Sequence, residues 1–220
     1  SPVVHQFLAK HLNTQASPRM RGEAIGFIGM PLTATPEQVR SLARSIASER
    51  VILSYPGGAI LDVDINGRST EFAVDGSFLA AAMAGLYLNP ANDVATTLTR
   101  QKLVGFSRLI KRTEEQILDL MAADGVCILI ERDGAFEVRH YVTTSSDNIL
   151  KREPTTTTIV DYTRQRMRRA LEEFVGRKSV QAVVTDITVK ANSLLRALQE
   201  QLILESYRNL EVTRDSVDPT

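Results

Sequence analysis

Apolar residues fall in short blocks along the chain, and their spacing switches between a helical and a strand period. Val4, Phe7, Leu8 and Leu12 line one helical face, which Ser17-Pro18 ends. Residues 24–30 (AIGFIGM) form an apolar run of strand length. Thr35-Pro36-Glu37-Gln38 opens a helix: Thr35 caps it, Pro36 suits its first position, and Gln38 completes a capping box. Val39, Leu42 and Ile46 supply its buried face. Val51-Ile52-Leu53 is a second buried strand, stopped at Tyr55-Pro56-Gly57-Gly58. The order strand, helix, strand predicts a parallel βαβ unit.

Residues 60–74 read as a hairpin, with Val63 and Ile65 alternating with Asp62 and Asp64 and Asn66-Gly67 as the two-residue turn. Asp75-Gly76-Ser77 opens a small-sided helix running through Leu86, which predicts close packing. Residues 91–112 are Thr-rich and weakly periodic. Thr113 and Gln116 predict a capping box for a helix carrying Ile117, Leu120 and Met121, ended by Asp124-Gly125. Val126–Ile130 is a buried strand, and Asp133-Gly134 turns it into Phe136, Val138, His140 and Val142. TTSSDN and PTTTT, within residues 143–158, read as a polar boundary. Beyond it Val160, Thr163, Met167, Ala170, Leu171 and Phe174 repeat at helical spacing up to Gly176. Ser179 is the expected cap of a further helix with Val180, Val184, Ile187, Ala191, Leu194, Leu198 and Leu202 inside. Tyr207, Leu210 and Val212 predict a short final strand. The expected organisation is an α/β domain over 1–150, a mixed sheet flanked by helices, followed over 151–220 by a C-terminal helical segment with a short strand.

Composition narrows the chemistry. With 26 basic and 26 acidic residues the net charge is zero, which argues against a general nucleic-acid binder. One cysteine excludes an intrachain disulfide and a Cys-rich zinc site, and three histidines leave little for metal chemistry. No apolar run approaches the roughly 18 residues of a membrane span. Ser1-Pro2-Val3-Val4 carries neither an initiator Met nor a signal-peptide pattern, so a piece of a longer chain is expected.

Most motifs that suggest chemistry are incomplete. Asp62-x-Asp64-x-Asn66-Gly67 copies the first half of a calcium loop, but Ala73 stands where a bidentate Glu is needed and Glu71 comes two residues early. Gly105-x-Ser107 lacks the second glycine of a nucleophile elbow, Leu109 being there instead. Gly22, Gly26 and Gly29 miss dinucleotide-loop spacing. Cys127 sits in an apolar strand, as an inert thiol would. His140 has no nucleophile anchored beside it, and His5 and His11 are six apart, unsuited to chelation from one helix. Glu114-Glu115 and Glu172-Glu173 are adjacent on helices and point apart, so neither pair is a carboxylate dyad.

One charge feature remains. Residues 151–178 hold eight bases (Lys151, Arg152, Arg164, Arg166, Arg168, Arg169, Arg177, Lys178) against four acids (Glu153, Asp161, Glu172, Glu173). The bland reading is a solvated helix face. The sharper one is a patch that meets an acidic protein surface, since nucleic acid would want an aromatic platform and aromatics are 5 % of the chain.

In their order these motifs carry a resemblance. Asn89-Pro90-Ala91-Asn92 precedes a Thr-rich stretch, then Leu118-x-x-Met121-x-x-x-Gly125-Val126, then a hairpin ending Val142-Thr143-Thr144. Ile159-Val160-Asp161-Tyr162 opens a helix ending Phe174-Val175-Gly176-Arg177-Lys178, and Leu210-x-Val212 precedes Asp218-Pro219-Thr220. Upstream stand Val51-Ile52-Leu53-x-Tyr55-Pro56-Gly57 and the Ala-rich helix 78–86. The chain resembles the contractile tail sheath proteins of myophages and R-type tailocins. That resemblance implies a subtilisin-like fold without a working triad, no enzyme activity and no cofactor or metal. It also implies self-assembly into six-fold rings stacked around a tail tube protein, a baseplate as trigger, and no nucleic-acid or membrane partner. The expected location is the virion tail, assembled in the host cytoplasm. Contraction would drive the tube through the target envelope. Extended terminal arms would add strands to a neighbour's sheet. Members usually begin upstream of residue 1 and continue past Asp218-Pro219-Thr220, so a core fragment that folds but does not assemble is expected. Long tubes from this chain alone on size-exclusion chromatography would contradict that. The tube- or partner-facing candidates are Arg164, Arg168, Arg169, Arg177 and Lys178, and the expected tube-facing surface is the basic helix 161–175 with the helix 180–204. Alternatives are a sheath-like subunit of a bacterial contractile injection system and an α/β hydrolase.

Overall fold

A computed structural model describes residues 2–110, 113–178 and 180–213. Ser179, expected as a cap, and the Asp218-Pro219-Thr220 motif lie outside the described residues. The chain forms two compact units, the first ending at Thr157 and the second starting at Thr158.

The first unit is built on α1 (Pro2–Gln15), β1 (Gly26–Ile28), α2 (Pro36–Ile46), β2 (Val51–Tyr55), β3 (Gly58–Ile65), β4 (Arg68–Asp75) and α3 (Gly76–Tyr87). After these come β5 (Lys102–Leu103), β6 (Arg108–Leu109), α4 (Glu115–Ala123), β7 (Val126–Arg132), β8 (Ala135–His140) and α5 (Ile149–Arg152). The capping box forms as the sequence predicts: Gln38 N–H donates to Thr35 Oγ1 at 3.3 Å, and Thr35 N–H donates to Gln38 Oε1 at 3.0 Å. β1 and β2 pair in parallel, Gly26 opposite Val51, so the predicted βαβ unit is present.

The main sheet runs β1-β2-β7-β8-β5. β1, β2 and β7 run parallel, β8 pairs antiparallel with β7, and β5 pairs antiparallel with β8. β2 pairs in parallel on both sides and every residue in it is buried, which accounts for an unbroken apolar run rather than an alternating one. Val51, Leu53, Val126 and Ile128 face a core completed by Leu12, Val39, Leu42, Leu118 and Met121 from α1, α2 and α4. Ile52, Cys127 and Leu129 face a second core with Leu79 and Met83 of α3. Burial pushes the Cys127 thiol up to about 12, which keeps it protonated and unreactive.

β4-β3-β6 form a smaller sheet. Asn66 and Gly67, at φ 55° and 78°, make the left-handed turn that the calcium-like motif encodes. Among the described residues no group of carboxylates, histidines or cysteines is placed to hold a metal ion.

One ion-pair cluster joins α2 to the end of α4. Asp124 accepts hydrogen bonds from Arg40 and, at 2.8 and 3.0 Å, from Arg44. Partial burial raises the Asp124 pKa, but the hydrogen bonds and charges of Arg44 and Arg40 outweigh this and hold it below the usual carboxylate value. A carboxylate with a lowered folded pKa contributes stability that is complete above its unfolded pKa and lost as pH falls through the folded one. Asp124→Asn is therefore expected to cost about 1 kcal/mol at pH 7. The difference from the parent should shrink below about pH 4. Chemical denaturation at both pH values checks it.

Three expectations need correction. Thr113 does not cap α4: its hydroxyl is 2.7 Å from the Tyr55 hydroxyl, and the residue at the cap is Glu114, with no side-chain cap bond. Leu120 is 53 % exposed, and Leu118 takes the inward place beside Met121. PTTTT, read as part of a polar boundary, is helical, because α6 (Pro154–Leu171) begins at its proline.

Candidate partner-binding surface

The basic segment lies on α6, on a short 3-10 turn at Glu172–Phe174, and on the connection to α7 (Gln181–Glu200). α6 is amphipathic in the plain sense: Met167, Ala170 and Leu171 are half-buried, while Arg164, Arg166 and Arg169 are exposed. α7 buries Ala191, Leu195 and Leu198. It starts directly after Val180, which is 49 % exposed rather than inside as predicted.

The five candidate cations are held in different ways. Arg164 pairs with Asp161 at 3.8 Å, one helical turn back, and Asp161 is buried. Arg168 is half-buried and already engaged within the protein. Arg169 and Lys178 are exposed and have no ion pair among the described residues. The Arg177 guanidinium lies 4.9 Å over the Phe174 ring, a contact that leaves its edge donors available. Arg164 is thus exposed but paired, Arg168 is engaged within the protein, and Arg169, Arg177 and Lys178 are displayed near the α6–α7 connection.

Charge counting missed what surrounds them. Lys190 of α7 neutralises Glu173 at 3.0 Å. Arg166 stacks 5.6 Å over Tyr162. Val175 is 82 % exposed beside Gly176, which takes φ 82° at the end of the helix. Exposed apolar surface next to displayed cations suits a protein partner better than solvent.

The expected final strand is absent from residues 201–213. This segment folds back on α7 instead: Ile203 and Leu204 N–H groups donate to Leu198 O, and Tyr207 Oη donates to Asn192 Oδ1 at 3.2 Å. All regular elements of this unit are helical among the described residues, so the segment has no strand to pair with.

The catalytic decoys stay apart. Ser107 Oγ donates to Ile60 O at 3.0 Å. His140 Nε2 accepts from Arg139 Nε at 3.3 Å and lies 3.6 Å from Asp119. A cavity of about 290 Å³ opens where β2 and β7 end, lined by Tyr55, Thr113, Glu131, Arg132 and Arg139 among others. Its arginines are matched by acids, Arg132 with Glu137 at 2.9 Å and Arg139 with Asp119 at 2.7 Å. Its two hydroxyls, Tyr55 and Thr113, bond to each other.

No protein-family model and no curated protein matches the sequence. Solved structures do. The sheath tail protein of Desulfitobacterium hafniense superposes with a TM-score of 0.66 at 13 % identity, over 90 % of this chain and 43 % of its own. The PVC sheath complex of an extracellular contractile injection system, in the contracted state, gives 0.67 at 14 %, over 88 % and 52 %. The anti-feeding prophage baseplate gives 0.62 at 14 %, over 91 % and 50 %. The chain has the fold of a contractile sheath protein. It spans about half the length of these sheath and baseplate chains. The sheath fold takes in both units, since the matches cover more of the chain than either unit contains. The mixed sheet flanked by helices is therefore an arrangement it shares with them.

Proposed function

We propose that this chain is the core of a structural subunit in a contractile sheath. The supporting observation is the superposition of about nine-tenths of it on sheath and baseplate chains. In this reading copies form six-fold rings that stack around a tail tube and answer to a baseplate, in a tail-like particle assembled in the producing cell's cytoplasm. The exposed basic end of α6 and the turn after it, with Arg169, Arg177 and Lys178, face the tube or a neighbouring subunit. The work of contraction comes from packing. If each subunit is a few kcal/mol more stable in contracted packing, a stack of identical subunits releases a large amount in one direction. A kinetic barrier with tube and baseplate contacts then holds the extended state. No cofactor and no bond chemistry enter this mechanism. The likeness to both a sheath tail protein and an injection-system sheath supports a phage tail and a cell-borne injection machine alike, and the mechanism is the same in both. Mass photometry of the full-length subunit proposed to contain this chain tests the reading. Species at multiples of six subunits are expected, and a monomer at every concentration would oppose it.

A further inference from the structure

Two motifs lie outside the candidate partner-binding surface: Val142-Thr143-Thr144 and the Thr-rich start of α6. The structure brings them to one place. Ser48, Thr143, Thr144, Ser145 and Thr157 are all buried, although all are polar. Thr144 Oγ1 accepts from Ser48 N–H at 3.0 Å and donates to Ser48 O at 3.1 Å, while Thr144 N–H donates to Val51 O. Thr143 Oγ1 donates to Lys151 O at 2.7 Å, and Thr143 N–H donates to Arg152 O at 2.9 Å. The Arg152 guanidinium donates to Ala122 O at 2.8 Å, and Thr157 Oγ1 to Glu49 O at 3.4 Å. Apolar burial does little for the segment leading into α6, since Ile149 and Leu150 are 78 % and 65 % exposed. Hydrogen bonds hold it to the start of β2 and the end of α4.

That matters because the start of α6 is a poor helix by itself. Four consecutive β-branched threonines follow Pro154, and threonine ranks low in helix propensity. Whichever turn of a helix forms first is also its costly nucleus, and a turn held from outside lowers that cost. A buried network in which each group needs the others tends to hold or fail as a unit. We propose that this Thr–Ser network is a latch. Engaged, it fixes Lys151–Thr157 and nucleates α6. Released, Pro154–Thr158 becomes a flexible tether. α6 carries the chain from the first unit into the second, so the latch sets whether that junction is continuous helix or loose chain. This holds whether or not the chain builds a sheath.

Hydrogen exchange by mass spectrometry on the whole chain tests the latch. In Thr144→Val, peptides covering 152–162 should exchange at least tenfold faster, while those from β2 and β7 keep the parent rate. Thr144→Ser retains the hydroxyl and should restore slow exchange. An equal rise in β7, or no rise anywhere, would overturn the latch. If Thr144→Val does not fold, Thr155→Ala with Thr156→Ala replaces it. Better helix formers should then slow exchange over 152–162 severalfold, and an unchanged rate would overturn the proposal.

Discussion

Gly29→Ala is expected to destabilise the fold severely, by more than about 3 kcal/mol. Gly29 follows β1, and a β-carbon there would lie 1.9 Å from the carbonyl oxygen of Gly76 and 2.1 Å from its carbonyl carbon. Gly76 is the first residue of α3, and a β-carbon on it would come within 2.5 Å of Met30 O. The two backbones touch and are joined by Gly76 N–H donating to Met30 O at 2.9 Å. No rotamer change relieves such a clash, because the obstacle is main chain. β1 and α3 would have to separate, and α3 carries Leu79 and Met83 into the second core. Overpacking in a core costs about 1–3 kcal/mol even where side chains can yield, so a loss above about 3 kcal/mol is expected here. That is a large share of the roughly 5–15 kcal/mol of a typical domain. Gly85 is the control: a β-carbon there meets nothing within 4 Å. It lies inside α3, so Gly85→Ala should stabilise by about 0.5–1 kcal/mol. Urea titration of both variants measures this, and equal losses at the two positions would contradict the packing described.

The second large effect concerns the proposed tube face. Reversing Arg169, Arg177 and Lys178 together to Glu should weaken docking on a tube about 10- to 100-fold per subunit site. Each exposed pair is worth only about 0.2–1 kcal/mol. Three lost attractions with added repulsion come to about 1–3 kcal/mol, and repetition around a ring multiplies the result. Folding should barely change, because all three side chains are exposed. Arg164→Glu with Arg168→Glu should behave differently. Arg164 balances the buried Asp161, and Arg168 is engaged inside the protein. That pair should lower stability as well as docking. Co-sedimentation with tubes and thermal melts separate the two outcomes, and docking should also weaken as salt rises. Unchanged docking in the triple variant would remove these residues from the tube face.

Signals confined to a few neighbouring residues could be read from the sequence. The Thr35–Gln38 capping box, the Asn66-Gly67 turn, and the apolar runs of β2 and β7 each encode their conformation locally. Residues 91–112 hide β5 and β6, which are two residues each and owe their form to β8 and β3. Thr113 has the right spacing for a cap but meets Tyr55, 58 residues earlier in the chain. Pro154–Thr158 has no apolar face to announce a helix, and the bond that ties it to the first unit, Thr157 Oγ1 to Glu49 O, spans 108 residues. The final strand fails for the opposite reason: Tyr207, Leu210 and Val212 have the composition of a strand without a partner. The basic surface was legible as a charge tally, and Asp161–Arg164 as an i,i+3 pair. Lys190 on Glu173 joins separate elements, so no spacing along the chain announces it.

Cryo-electron microscopy of the full-length subunit proposed to contain this chain tests the central claim, that its copies store energy in how they pack. Hollow, cross-striated tubes with six-fold symmetry are predicted, their subunits matching both units of this fold. Dispersed single molecules under every condition, with no ordered polymer, would contradict it.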